Sequence, residues 1–267
     1  MSRIPARFEE LKRANRAAFI PFITAGDPDA ETTAAILAAL PGAGADLIEL
    51  GIPFSDPMAD GPAIQASSQR ALARGMSLSK VLDIVRRFRK SDAKTPIVLM
   101  GYYNPIHAYG TARFARDAAA AGVDGLITVD LPPEEDEVLR VPAREHGVDI
   151  VRLATPTSDD KRLTTILDGA SGFLYYVSIA GVTGTKDFAA DDVKAAVARV
   201  KACGNLPCCV GFGIKTPEQA DAIARFADGA VVGSAIVQRI ADGASVPQIV
   251  EFCAALAASV HESRIEP

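Results

Sequence analysis

Cysteine is scarce in this chain and badly spaced for cross-linking or metal binding. Cys203, Cys208, Cys209 and Cys253 crowd the C-terminal quarter without a paired C-x-x-C spacing, which excludes a disulfide framework and a zinc-finger-type site. Cys208 and Cys209 lie in an apolar run that reads as a strand, so their side chains point to opposite faces, as free buried thiols in a reducing compartment. No run of about 18 apolar residues is present. The opening Met1-Ser2-Arg3-Ile4-Pro5 has no apolar signal core. A membrane span and a secreted scaffold are therefore excluded, and the cytoplasm is the expected location. Excess positive charge is missing too: 28 basic against 33 acidic side chains give a formal net charge of −5. A nucleic-acid binder would need a concentrated basic face.

Several catalytic devices are also absent. The histidines His107, His146 and His261 are scattered, which argues against a zinc aldolase and against any metal site. None of the apolar strand segments contains a lysine for a Schiff base. There is no P-loop, no nucleophile elbow and no G-x-G-x-x-G after the first strand.

What the chain does have is a repeating pattern. Apolar runs at 19–24, 47–51, 97–100, 125–129, 150–153, 173–178, 208–211 and 230–233 recur at intervals of roughly 30 residues, flanked by Gly, Pro or Asp. Continuous runs, unlike alternating ones, imply strands covered on both faces, as in a parallel sheet. Helical patterns fill the gaps. Leu78, Val81, Leu82, Val85 and Phe88 share one face, and Arg86, Arg87 and Lys90 another. Thr216-Pro217-Glu218-Gln219 and Ser245-Val246-Pro247-Gln248 are helix starts with a cap and an early proline. Eight strands alternating with helices over 267 residues predict a single (β/α)8 TIM barrel, with an N-terminal helix and an extended loop after strand 2. A doubly wound open sheet is the rival. The gap between the second and third strands is longest, holding Pro53, Pro57 and Pro62 and room for two helices.

In a barrel the chemistry gathers at the C-terminal ends of the strands. Glu49 interrupts the apolar stretch Leu47-Ile48-Glu49-Leu50, and alternation turns it into the lumen if its neighbours face the helices. A carboxyl there is desolvated, so its pKa should rise towards neutrality; the competing role is a salt bridge to Arg152. Asp60, in the proline-bounded loop, can equally be catalytic or cap the following helix. Gly211 with Gly213, and Gly233 with Ser234, end the last two strands. Their backbone amides suit a phosphate, which this fold binds at that position, although tight turns would use the same glycines. The stretch Ala180-Gly181-Val182-Thr183-Gly184-Thr185-Lys186 suits a closing lid or a plain connector. What remains is proton transfer on a small phosphorylated substrate, run by carboxylates.

The segment Glu49-Leu50-Gly51-Ile52-Pro53-Phe54-Ser55-Asp56-Pro57-Met58-Ala59-Asp60-Gly61-Pro62 closely resembles the signature of the tryptophan synthase alpha chain family. Pro21-Phe22-Ile23-Thr24-Ala25-Gly26-Asp27-Pro28, Met100-Gly101-Tyr102-Tyr103-Asn104-Pro105, Asp130-Leu131-Pro132, Gly181-Val182-Thr183-Gly184, Gly211-Phe212-Gly213-Ile214 and Gly233-Ser234-Ala235-Ile236-Val237 match in order along nearly the whole chain. The resemblance implies cleavage of indole-3-glycerol phosphate to indole and glyceraldehyde 3-phosphate, with Glu49 as acid–base and Asp60 binding the indole N–H. It implies a substrate pocket of Phe22, Met100, Tyr102, Leu126, Ile127, Tyr175 and Thr183, with Gly184, Gly211, Gly213, Gly233 and Ser234 at the phosphate. It further implies a beta-chain partner carrying pyridoxal phosphate, met through Pro53 and Asp56 in a tetramer of two alpha and two beta chains, with no cofactor on this chain. Two departures bear on partner coupling: Ile179 replaces an arginine that some members carry, and Ser68 an asparagine. The other readings are a phosphosugar isomerase or epimerase of the same fold, and a barrel that only binds phosphate ligands as a regulatory partner.

Overall fold

Because each apolar run is flanked by breakers and followed by an amphipathic stretch, strand and helix alternate along the chain. The computed structural model describes residues 1–178, 190–211 and 213–264. It begins with α1 (Ile4–Arg13), β1 (Ala18–Thr24), α2 (Ala30–Ala39) and β2 (Ile48–Gly51). The long gap follows and holds two helices, α3 (Pro62–Ala73) and α4 (Leu78–Phe88). Next come β3 (Ile97–Gly101), α5 (Tyr103–Tyr109), α6 (Thr111–Ala121), β4 (Gly125–Thr128) and α7 (Glu137–Glu145). Beyond these lie β5 (Asp149–Ile150), β6 (Arg152–Ala154), α8 (Asp160–Leu167), β7 (Leu174–Val177) and α9 (Ala190–Cys203). The chain continues through β8 (Cys208–Gly211), α10 (Pro217–Ala224), β9 (Gly229–Val232), α11 (Ser234–Ala241) and α12 (Val246–Glu262).

All pairings are parallel, in the order β5-β4-β3-β2-β1-β9-β8-β7-β6. The expected fifth strand is divided. Its first half pairs with β4 and its second half with β7, so one chain segment links the two ends of the ladder and the barrel closes through it. Val151 N donates to Leu126 O at 2.9 Å, the last bond to β4 before the segment turns towards β7.

Side-chain alternation sorts the core into two bodies. Ile23, Ile48, Leu50, Leu99, Leu126, Tyr176, Cys208 and Val210 pack outwards against the helices. Ile20, Leu47, Val98, Ile127, Val151, Tyr175, Cys209 and Val231 fill the lumen. The inner body also includes Ile4, Phe8 and Leu11, so α1 plugs the N-terminal end of the barrel; the Phe8 and Phe173 rings lie 5.8 Å apart. Asp124 fastens this plug. Its Oδ1 accepts from Arg3 N at 2.9 Å and Arg3 Nη1 at 2.8 Å, while Oδ2 accepts from Arg89 Nη2 at 2.7 Å and Ile97 N at 2.9 Å.

Both expected helix starts form. The Thr216 hydroxyl accepts from Gln219 N at 3.3 Å, and Gln248 Oε1 accepts from Ser245 N at 2.9 Å. Cys208 and Cys209 are buried free thiols, as the strand reading expects, and so is Cys253, whereas Cys203 is exposed. Burial pushes the Cys208 and Cys253 thiols up to about 12, which keeps them protonated.

Arg152 does not reach Glu49. Its Nε and Nη2 donate to Asp136 Oδ2 at 2.8 and 2.6 Å, and its Nη1 donates to the Ile166 and Asp168 carbonyls at 2.9 and 2.5 Å. Both side chains are buried. Asp136→Ala would strand a buried guanidinium, and we expect a loss of about 3–5 kcal/mol in urea denaturation; a loss under about 1 kcal/mol would contradict this account.

Candidate active site

Glu49 lies in the middle of β2, in register with Phe22 on one side and Val98 on the other. Its neighbours Ile48 and Leu50 pack outwards, so the alternation delivers its carboxyl to the lumen, fully buried. Neither Oε1 nor Oε2 has a hydrogen-bond partner. Desolvation lifts its pKa from 4.5 to about 8, so at neutral pH the group is a carboxylic acid held without a counter-charge.

Asp60 sits on the loop between β2 and α3. Gly61, not Asp60, is the N-cap of α3, so the capping alternative does not hold for its side chain. Burial raises this carboxyl from 3.8 to about 6, while a hydrogen bond from Tyr102 opposes the rise. The Tyr102 hydroxyl donates to Asp60 Oδ2 at 3.1 Å and accepts from Ala59 N at 3.0 Å. Its ring stacks on Phe54 at 5.3 Å. An apolar wall was the expected role for Tyr102; the structure gives its hydroxyl a polar one, and no spacing in the sequence announces that contact.

A small cleft at the C-terminal ends of β1, β2 and β3 is lined by Phe22, Gly51, Asp60, Ser68, Met100 and Tyr102. Ser68 is therefore part of the site wall. Ile127 and Tyr175 also face the lumen, and Tyr175 lies within electrostatic reach of both Glu49 and Asp60, which adds to the desolvation that raises its phenol well above 10. Leu126 is not brought to the site: it packs outwards among the helices, because adjacent strand residues cannot both face the lumen. A cavity of about 600 Å³ opens beside the cleft, between β4 and β6, with Val129 bordering both.

At the far side, Gly211 ends β8, Gly213 has φ +87°, and Gly233 is the N-cap of α11, whose first residue is Ser234. The helix N-terminus leaves its first amides without intrahelical acceptors, which suits an anion. A Cβ on Gly211 would lie 2.0 Å from Tyr175 Oη. Gly211→Ala should therefore destabilise the fold by about 2 kcal/mol through overpacking, read as a lower urea midpoint; an unchanged midpoint would refute the close approach. Thr183, Gly184, Ile179 and the proposed lid segment fall outside the described residues. Pro53 is buried, while Asp56 and Met58 are exposed on the loop after β2.

A closed parallel barrel with an uncharged carboxyl in its lumen and an ionisable aspartate at its rim defines an α/β-barrel enzyme of the acid–base class. The profile described as tryptophan synthase alpha chain matches residues 8–263. A tryptophan synthase alpha chain from Gluconacetobacter diazotrophicus is 60% identical over 242 residues, covering 91% of this chain and 88% of that one. The crystal structure of tryptophan synthase subunit alpha from Legionella pneumophila str. Paris superposes with a TM-score of 0.92 at 42% identity, covering 97% and 98% of the two chains. The aminoacrylate- and BRD0059-bound form of tryptophan synthase from M. tuberculosis follows with a TM-score of 0.89 at 36% identity, covering 97% and 98%. This chain belongs to the tryptophan synthase alpha chain family. It is a lyase of tryptophan biosynthesis that cleaves indole-3-glycerol phosphate to indole and glyceraldehyde 3-phosphate, and it pairs with a beta chain. Among the described residues no helix is long and apolar enough to cross a membrane, and no group of three or more His, Cys, Asp or Glu is placed to hold a metal ion.

Proposed function

We propose that the lyase reaction is run by Glu49 and Asp60 alone, as a proton-transfer pair, with neither a metal nor an organic cofactor on this chain. The observation that carries this reading is the Glu49 carboxyl, buried with both oxygens unpartnered. Breaking the carbon–carbon bond requires indole C3 to become tetrahedral, so the ring must first take a proton there. Neutral Glu49 supplies it. The positive charge that grows on the ring nitrogen is met by ionised Asp60. The Glu49 carboxylate then removes the proton from the side-chain hydroxyl, the bond to C3 breaks, indole and the aldehyde separate, and Glu49 is an acid again. Each positioned acid–base step contributes about 10²–10⁴-fold.

Phe22, Met100, Ile127 and Tyr175, with Thr183, would flank the indole ring, and amides at Gly184, Gly211, Gly213, Gly233 and Ser234 would hold the phosphate and fix the orientation. The exposed Asp56, carried on a loop braced by buried Pro53, would meet the beta chain in an assembly of two alpha and two beta chains; pyridoxal phosphate would belong to that partner. The chain acts as one barrel domain, in the cytoplasm. The experiment is spectroscopic detection of indole released from indole-3-glycerol phosphate by the purified chain, with and without a beta chain. Indole release abolished in Glu49→Gln supports the pair; full activity in that variant overturns it.

A further inference from the structure

The structure assigns to Tyr102 the role of a positioning residue that grips the loop after β2 at both ends and holds Asp60 to its task. The inference rests on the proposed role of Asp60 and extends it to the group that places it. Tyr102 follows β3 and is the N-cap of α5, a site set by strand pairing well outside the loop. Its ring stacks on Phe54 at one end of the loop, 5.3 Å between centroids. Its hydroxyl takes the N–H of Ala59 and gives its own proton to Asp60 Oδ2 at the other end. Between those grips lie the exposed Ser55, Asp56 and Met58. The backbone of Asp60 is tied separately, its N–H donating to Pro57 O at 3.0 Å and its carbonyl accepting from Gln65 Nε2 at 2.8 Å.

A phenol that must accept from Ala59 N has its own proton directed onward, so it presents a fixed donor to Asp60 and keeps the carboxylate ionised and oriented. The stack on Phe54 anchors the same ring to the stretch leading to the exposed tip. A displacement of the tip is thereby felt at Asp60 through one rigid side chain. The other ionisable groups acting on this pair are Tyr175, which senses Asp60, and Asp130, which acts on Tyr102.

The test is Tyr102→Phe, which keeps the ring and removes the hydroxyl. Loss of one hydrogen bond to a charged group should lower kcat about 10- to 30-fold, with KM changed less than about 2-fold, and should move the acid limb of the pH profile upward. In an Asp60→Asn background the same change should cost little more. A ring-fluorinated tyrosine at 102, a stronger donor of nearly the same shape, should move the acid limb downward; this arm answers the question even if Tyr102→Phe folds poorly. An acid limb unmoved by both changes, or equal losses from Tyr102→Phe in the native and Asp60→Asn backgrounds, would reduce Tyr102 to a substrate wall and overturn the inference. If Asp60→Asn itself is fully active, the acid–base pair fails instead, so the two failures are told apart.

Discussion

Glu49→Gln should lose indole formation by about 10³-fold or more and yet fold more stably than the native chain. The two results have one cause. Native Glu49 is buried with no partner and has a pKa of about 8, against 4.5 for the free group. A raised folded-state value means that the folded protein binds the proton more tightly than the unfolded chain does. The stability this contributes is complete below pH 4.5 and drains away as pH rises towards 8, because the unfolded chain ionises freely and the folded one cannot. Glutamine ionises in neither state. The stability advantage of Glu49→Gln should therefore be small at pH 4.5, grow by about 3 kcal/mol between pH 5.5 and 8, and level off above that. Urea denaturation at several pH values reads the difference. If Glu49→Gln loses activity because the fold collapses, or if the stability difference is flat with pH, the carboxyl is not the buried acid described here.

Asp60→Asn should lower kcat by about 10²–10³-fold, the size of losing one preorganised electrostatic contact to the transition state. The proposed phosphate-binding amides belong to β8 and α11, away from the loop that carries Asp60, so KM should change little. The pH profile is the sharper readout. Asp60 must be ionised and Glu49 protonated, and their values of about 6 and about 8 give a bell with its maximum near pH 7 in the native chain. In Asp60→Asn the acid limb should vanish while the alkaline limb stays. A native profile flat between pH 5 and 9 would contradict both assignments. A variant that keeps its acid limb would show that some other group titrates there.

Much of this was legible in the residues. Continuous apolar runs predicted strands buried on both faces, and eight such runs predicted the closed barrel. Glu49 was visible because one acid inside an apolar run must be paired or perturbed. The same reading went astray where a contact joins distant segments. Leu126 and Ile127 were both expected at the substrate, although alternation admits only one of them, and the register gives the lumen to Ile127. The fifth run was read as one strand; it is divided because its two halves pair with β4 and β7 in turn. Tyr102 was read as a wall because its hydroxyl partner lies 42 residues away. The Arg152 charge, a competitor for Glu49 by proximity in the fold, is taken up by Asp136.

The residue order by itself determined the alternation of elements, the parallel barrel and the burial of an acid in its second strand, because periodicity and chain breakers act over a few neighbours. Family membership was legible for the same reason, since its signature segments are short and contiguous. Only the tertiary structure decided that this acid has no partner, that α1 seals the base of the barrel, and that one phenol grips both ends of the loop bearing Asp60. Those facts depend on which distant side chains share a desolvated space, and that is set by strand register and closure.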